Sequence, residues 1–261
     1  MPCRDVVHTD MRFFLERLAW CAGLVAILAG VPGCVFHPGG APLAPGVADL
    51  PLVVYPPRAA SSDTADPPAA SDTLVVMLSG DGGWAGLDKA VGQSLAKAGY
   101  GVVGWDSLRY YWHHHTPDDA AADLDRVIQT YRERWQRPRV VLIGYSRGAD
   151  VMPFLYNRLP SATQAEVAHV VLLGLAAHIT FGYHVLAWVG LGPQGRDVMP
   201  EARRLPAART SCLYGVDDPH ATCDELKAAG FDVLGLPGGH HFDRRYAHLA
   251  ELIRQRIAPT P

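Results

Sequence analysis

Arg139-Val140-Val141-Leu142-Ile143-Gly144-Tyr145-Ser146-Arg147-Gly148-Ala149-Asp150 is the stretch that decides the fold. Its first half is a continuous apolar, β-branched run, as expected of a strand buried on both faces. Its second half opens a helical stretch from Ala149 to Arg158. Between them stands the pattern Gly-x-Ser-x-Gly, a sharp strand-to-helix turn that lifts a serine hydroxyl above the sheet edge. The turn calls for glycines because its backbone is strained and neighbouring segments come close. The bare pattern arises often by chance; the strand before it and the helix after it make this one specific.

The chain alternates in the same way on both sides of this stretch. Thr73 to Leu78 reads as a buried strand, and Leu87, Val91, Leu95 and Ala98 recur at helical spacing before a stop at Gly99. Val102 to Trp105 is a further strand. Thr116 caps the next helix, Pro117 fits its first turn, and Asp118 and Asp119 favour its positive end. Leu124, Ile128, Tyr131 and Trp135 form its buried stripe. Strands follow at Ala168 to Leu173, Cys212 to Gly215 and Phe231 to Leu236, with helices at Glu225 to Ala229 and Tyr246 to Ile257. Leu50 to Tyr55 offers a first strand. This rhythm implies an α/β fold, a mostly parallel sheet with helices on both faces, whose ligands bind at the carboxyl ends of the strands.

A serine nucleophile needs a base, and the base needs an orienting acid. In α/β-hydrolases these follow in the order serine, acid, histidine, and this chain keeps that order. Tyr214-Gly215-Val216-Asp217-Asp218 ends one strand with two acids, and Leu236-Pro237-Gly238-Gly239-His240-His241-Phe242 ends the next with two histidines. The usual spacing after the glycine favours Asp218 over Asp217, and His240 over His241, as partners of Ser146. An oxyanion hole needs two backbone N–H groups. Arg147 follows the serine, and Asp81 lies in the Gly-rich loop Ser79-Gly80-Asp81-Gly82-Gly83-Trp84. A phosphate-cradling loop would carry a lysine that is missing here. The acid of Asp81 suits a substrate bearing an ammonium group; the competing reading is turn chemistry. Asp81, Trp84 and Tyr145 are the expected substrate-binding positions.

His113-His114-His115 does not read as a metal site, because adjacent residues do not point at one ion and no partner acid or cysteine stands at helical spacing. The triplet reads as a polar loop. Tyr110, Tyr111 and Trp112 either line a pocket or end a strand. His178 and His184 belong to an apolar neighbourhood read as core or, less readily, a small lid. Neither a metal nor an organic cofactor is called for. With 261 residues, 49% of them apolar, and a net charge of −3, the chain suits a single α/β domain after a leader, and no basic run suggests nucleic acid.

Residues 1–33 read as an export signal, with Arg12 and Arg17 flanking the apolar run Leu18 to Gly30. Val31-Pro32-Gly33-Cys34 resembles a bacterial lipobox, which would lipidate Cys34 and hold the protein at a membrane in the periplasm. Pro32 departs from the usual small residue, and plain cleavage is the alternative. Residues 34–72 form a linker with the possible first strand, and 73–261 the hydrolase domain. Cys212 and Cys223 are an even pair in an oxidising compartment, either bonded or two buried thiols.

These motifs together resemble the bacterial virulence-protein family of VirJ and the C-terminal domain of AcvB. The resemblance rests on Leu78 to Trp84, Gly144 to Phe154 with Pro153 inside a helix, Asn157-Arg158-Leu159-Pro160, and Leu236 to Asp243. It implies an α/β-hydrolase in the periplasm that splits the aminoacyl ester of lysyl- or alanyl-phosphatidylglycerol. The partner would be an aminoacylated phospholipid at the membrane surface. Two other readings stand beside it: a general esterase or thioesterase, and a non-enzymatic factor that binds proteins of a type IV secretion system. Oligomeric state has no signature in the sequence.

Overall fold

The computed structural model describes residues 41–57, 72–182 and 195–258. The predicted leader, Cys34, most of the linker and His184 lie outside them. The strands are β1 (Leu52–Tyr55), β2 (Thr73–Leu78), β3 (Gly101–Trp105), β4 (Arg139–Tyr145), β5 (Val167–Leu173), β6 (His178–Ile179), β7 (Arg196–Asp197), β8 (Thr210–Gly215) and β9 (Asp232–Leu236). The helices are α1 (Gly86–Lys97), α2 (Ser107–Tyr111), α3 (Pro117–Trp135), α4 (Arg147–Tyr156), α5 (Ser161–Glu166), α6 (Met199–Ala202), α7 (Asp224–Lys227) and α8 (Tyr246–Ile257).

Seven strands pair in the order β1-β3-β2-β4-β5-β8-β9. All pairings are parallel except that β1 runs antiparallel to β3, with Leu52 opposite Trp105. Alternation along β2 divides the core. Leu74, Val76 and Leu78 point to one side, where Leu124, Ile128 and Tyr131 of α3 and Val151 and Leu155 of α4 meet them. Val75 and Met77 point to the other side, against Leu87, Val91 and Leu95 of α1 and Leu249, Ile253 and Ile257 of α8.

The long helix α3 begins as its composition dictates. Thr116 Oγ1 accepts from the Asp119 N–H at 3.1 Å, and Asp119 accepts back from the Thr116 N–H at 3.1 Å. Gln136 ends it in the left-handed region. Tyr110 and Tyr111 neither end a strand nor line the cleft described below. They sit in α2, which Asp106 caps by accepting from the Arg109 N–H. The Tyr110 hydroxyl donates to Asp123 at 2.7 Å, and His115 stacks on the Tyr110 ring. Trp112 follows in a turn and is 66% exposed. His178 is not core; it lies exposed on β6 opposite Asp197. Phe181 nearby is buried against Tyr111 and Phe154.

Candidate active site

Ser146 joins β4 to α4 with φ 53° and ψ −122°, a conformation that L-residues rarely adopt. The strain therefore falls on the serine itself. Its flanking glycines supply room: a side chain on Gly144 would strike the Gly148 carbonyl, and one on Gly148 would strike the Leu78 carbonyl. The loop after β2 crosses directly above. A Cβ on Gly80 would stand 3.2 Å from Ser146 Cβ. That loop is held by Ser79, whose hydroxyl accepts from the Ser107 N–H at 2.9 Å, and by a turn between Gly83 N and Gly80 O.

The ends of β8 and β9 supply the other two groups. Gly215 lets these ends close together, since a Cβ there would collide with the Gly239 carbonyl. His240 Nε2 lies 2.9 Å from Ser146 Oγ, and His240 Nδ1 lies 2.6 Å from Asp218 Oδ2. Gly174 leaves space for the imidazole, which a Cβ would approach to 3.1 Å. The second Asp218 oxygen accepts from the His220 N–H at 3.0 Å. Burial works to raise the Asp218 carboxyl, but the hydrogen bonds from His240 and His220 outweigh it and hold the group below its ordinary value. The Cys212–Cys223 disulfide closes the loop that carries Asp217 and Asp218.

Tyr145 lines the cleft beside Ser146, and its hydroxyl meets His241 Nδ1 at 2.8 Å. Of the other expected substrate contacts, Asp81 lines the cleft and Trp84 does not. The Asp81 carboxylate is paired with the Arg147 guanidinium, which also donates to the Thr180 carbonyl at 2.7 Å, so it is already engaged by a cation. Trp84 turns away from the cleft into a slot over Gly92 and Gly104, where its Nε1 donates to the Tyr55 hydroxyl at 3.2 Å. Any side chain at Gly104 would collide with the indole.

Three residues went unread in the sequence. Asp150, one turn beyond Ser146, is buried and accepts from the Ala176 N–H at 2.7 Å. Asp88 and Arg244 line the cleft of about 730 Å³ that opens on Ser146 and His240. Asp88 stands three residues before Val91 on the apolar stripe of α1, which is the signal that marks it. Arg244 is the last of three consecutive residues with positive φ, Phe242, Asp243 and Arg244, and no sequence pattern announces those. Among the described residues, no cluster of His, Cys, Asp or Glu is arranged to hold a metal ion.

Residues 72–260 match the model of the bacterial virulence protein (VirJ) family. The chain belongs to the VirJ family. Among curated relatives, this VirJ-family chain is similar to the carboxylesterase Culp1 of Mycobacterium tuberculosis and of Mycobacterium bovis. Each is 28% identical over 188 residues, covering 67% of this chain and 79% of the relative. Among solved structures, Est1E from Butyrivibrio proteoclasticus superposes with a TM-score of 0.53 at 13% identity, over 80% of this chain and 94% of Est1E. XC6422 from Xanthomonas campestris, an α/β serine hydrolase without a lid, gives 0.50 at 17% identity, over 80% and 90% of the two chains. The structural likenesses establish the α/β-hydrolase fold. The carboxylesterase relative supports hydrolase chemistry of the esterase type for this VirJ-family member.

Proposed function

We propose that this protein is a serine esterase that removes the aminoacyl group from lysyl- or alanyl-phosphatidylglycerol. The observation that carries the reading is the hydrogen-bonded row Ser146, His240, Asp218 at 2.9 and 2.6 Å, on a strained turn at the carboxyl edge of the sheet. In the tautomer that Asp218 selects, Nδ1–H donates to the carboxylate and Nε2 accepts the serine proton.

Ser146 Oγ attacks the ester carbonyl as its proton passes to His240 Nε2. The oxyanion forms beside the backbone N–H groups of Arg147 and Asp81, in their proposed role. Collapse breaks the bond to the glycerol oxygen, which takes the proton from His240, and phosphatidylglycerol leaves. Water then repeats the steps on the acyl-enzyme and frees the amino acid. Proton transfer through His240 accounts for roughly 10²- to 10⁴-fold of the rate.

Two features support a phospholipid ester. Arg244 stands exposed on the cleft wall, with the charge that a phosphodiester requires. The Cys212–Cys223 bond suits an oxidising periplasm, where lipid at Cys34 would bring the enzyme to its substrate. A general esterase is the second reading, favoured by the Culp1 likeness. Release of lysine or alanine from the corresponding lipids in mixed micelles tests the first reading. Hydrolysis of a simple ester with no release from either lipid selects the second.

A further inference from the structure

Asp88 is an anomaly in the cleft. Its residue is 3% exposed, yet it lines the same cavity as Ser146, His240 and Tyr145. Backbone N–H groups of Gly80 and of Asp88 itself serve its carboxylate, while Oδ1 is buried with no hydrogen-bond partner among the described residues. A buried carboxylate oxygen left in that condition costs on the order of 1–3 kcal/mol. Burial, the largest influence, and the nearby Asp106 charge push the carboxyl up to about 8 against those N–H bonds, so that in the empty cleft at neutral pH the group mostly keeps its proton. Neither cation of the cleft region is paired with it: the Arg147 guanidinium is held by Asp81 and the Thr180 carbonyl, and Arg244 lies on the exposed wall.

A cationic ligand group would resolve each of these features. It would give Oδ1 a partner and favour the ionised carboxylate that burial alone disfavours. In an aminoacyl ester, the α-ammonium is one carbon from the carbonyl that Ser146 attacks. We infer that the Asp88 carboxylate is the specificity-determining residue that receives the α-ammonium group of the acyl moiety. The inference rests on the esterase reading above and deepens it. It also explains why a carboxylate stands where an apolar residue would continue the stripe of Leu87, Val91 and Leu95.

The test uses two esters of one skeleton, ethyl alaninate and ethyl propionate, with the full chain and with Asp88→Asn. Asparagine keeps an acceptor for the Gly80 N–H and cannot ionise to meet a cation. Wild type is expected to prefer ethyl alaninate, and the variant to lower the ratio of kcat/KM values about 10- to 100-fold, mainly through KM. In parallel, alaninamide should inhibit wild type competitively where propionamide does not, a readout that needs no variant to fold. Equal loss on both esters, an unmoved ratio, no hydrolysis of ethyl alaninate, or equal inhibition by the two amides would overturn the assignment. Lipid hydrolysis with an unmoved ratio defeats Asp88 alone. A ratio that responds, with no release from the lipids, defeats the lipid substrate and keeps the ammonium site.

Discussion

Asp218 Oδ2 lies 2.6 Å from His240 Nδ1, on a side chain only 1% exposed, while the neighbouring Asp217 is exposed and donates its backbone N–H to the Gly238 carbonyl. The two adjacent acids therefore have separate duties. Replacing Asp218 by Asn should favour the wrong imidazole tautomer and lower kcat at neutral pH by about 10³- to 10⁴-fold. Asp217→Asn should stay within about twofold of wild type. Steady-state rates on a simple ester check both; a larger loss at Asp217 would reverse the assignment.

The strain at Ser146 predicts a stability difference between two inactive variants. Ser146→Ala keeps the unfavourable φ of 53°, whereas Ser146→Gly relaxes it. The glycine variant should be more stable than the alanine variant by about 1–3 kcal/mol. Urea titration of the two proteins measures this, and equal midpoints with equal slopes would mean that the turn is not strained.

The loop bearing Asp218 is tied by Cys212–Cys223, which are eleven residues apart. Removing the bond as Cys212→Ala with Cys223→Ala should cost roughly 3 kcal/mol. Activity should fall with it, because the tie positions the acid that orients His240. Denaturant melts and ester rates, each with and without reductant, should show wild type under reductant approaching the double variant.

Asp150 predicts how stability changes with pH. Burial pushes its carboxyl up to about 7, against the bond from the Ala176 N–H. The folded chain thus keeps a proton that the unfolded chain releases near pH 4. More protons bound in the folded state means that stability falls as pH rises from about 4 to about 7. Asp218, held low, acts with the opposite sign, and its contribution is lost only as pH falls below about 4. Asp150→Asn, which retains an acceptor for Ala176, should flatten the decline between about pH 4 and about pH 7 in thermal melts. An unchanged slope would contradict the assignment.

Much of this was legible from local pattern. Strands buried on both faces read as unbroken apolar runs, so β2, β4 and β5 stood out, and cap chemistry marked the start of α3 at Thr116. The Ser146, Asp218 and His240 positions followed from motif order and spacing. What escaped depended on contacts distant in sequence. Trp84 is expected at the substrate, but the space left by Gly92 and Gly104 turns it inward. Nothing local to Asp81 announces that Arg147 pairs with it. Tyr110 and Tyr111 have strand-like composition, yet the Asp106 cap makes them helical. Asp88 hides in an apolar stripe, and only the fold shows that it lines the cleft with one carboxyl oxygen buried and without a hydrogen-bond partner among the described residues.

The central claim is that Ser146 is an activated nucleophile, and labelling with a fluorophosphonate probe tests it most directly. Such a probe phosphonylates a serine whose proton a neighbouring base removes, and peptide mass spectrometry locates the adduct. The account predicts one adduct, on Ser146, absent from Ser146→Ala and strongly reduced in His240→Ala. No adduct on the folded wild type, or labelling unchanged in Ser146→Ala, would contradict it.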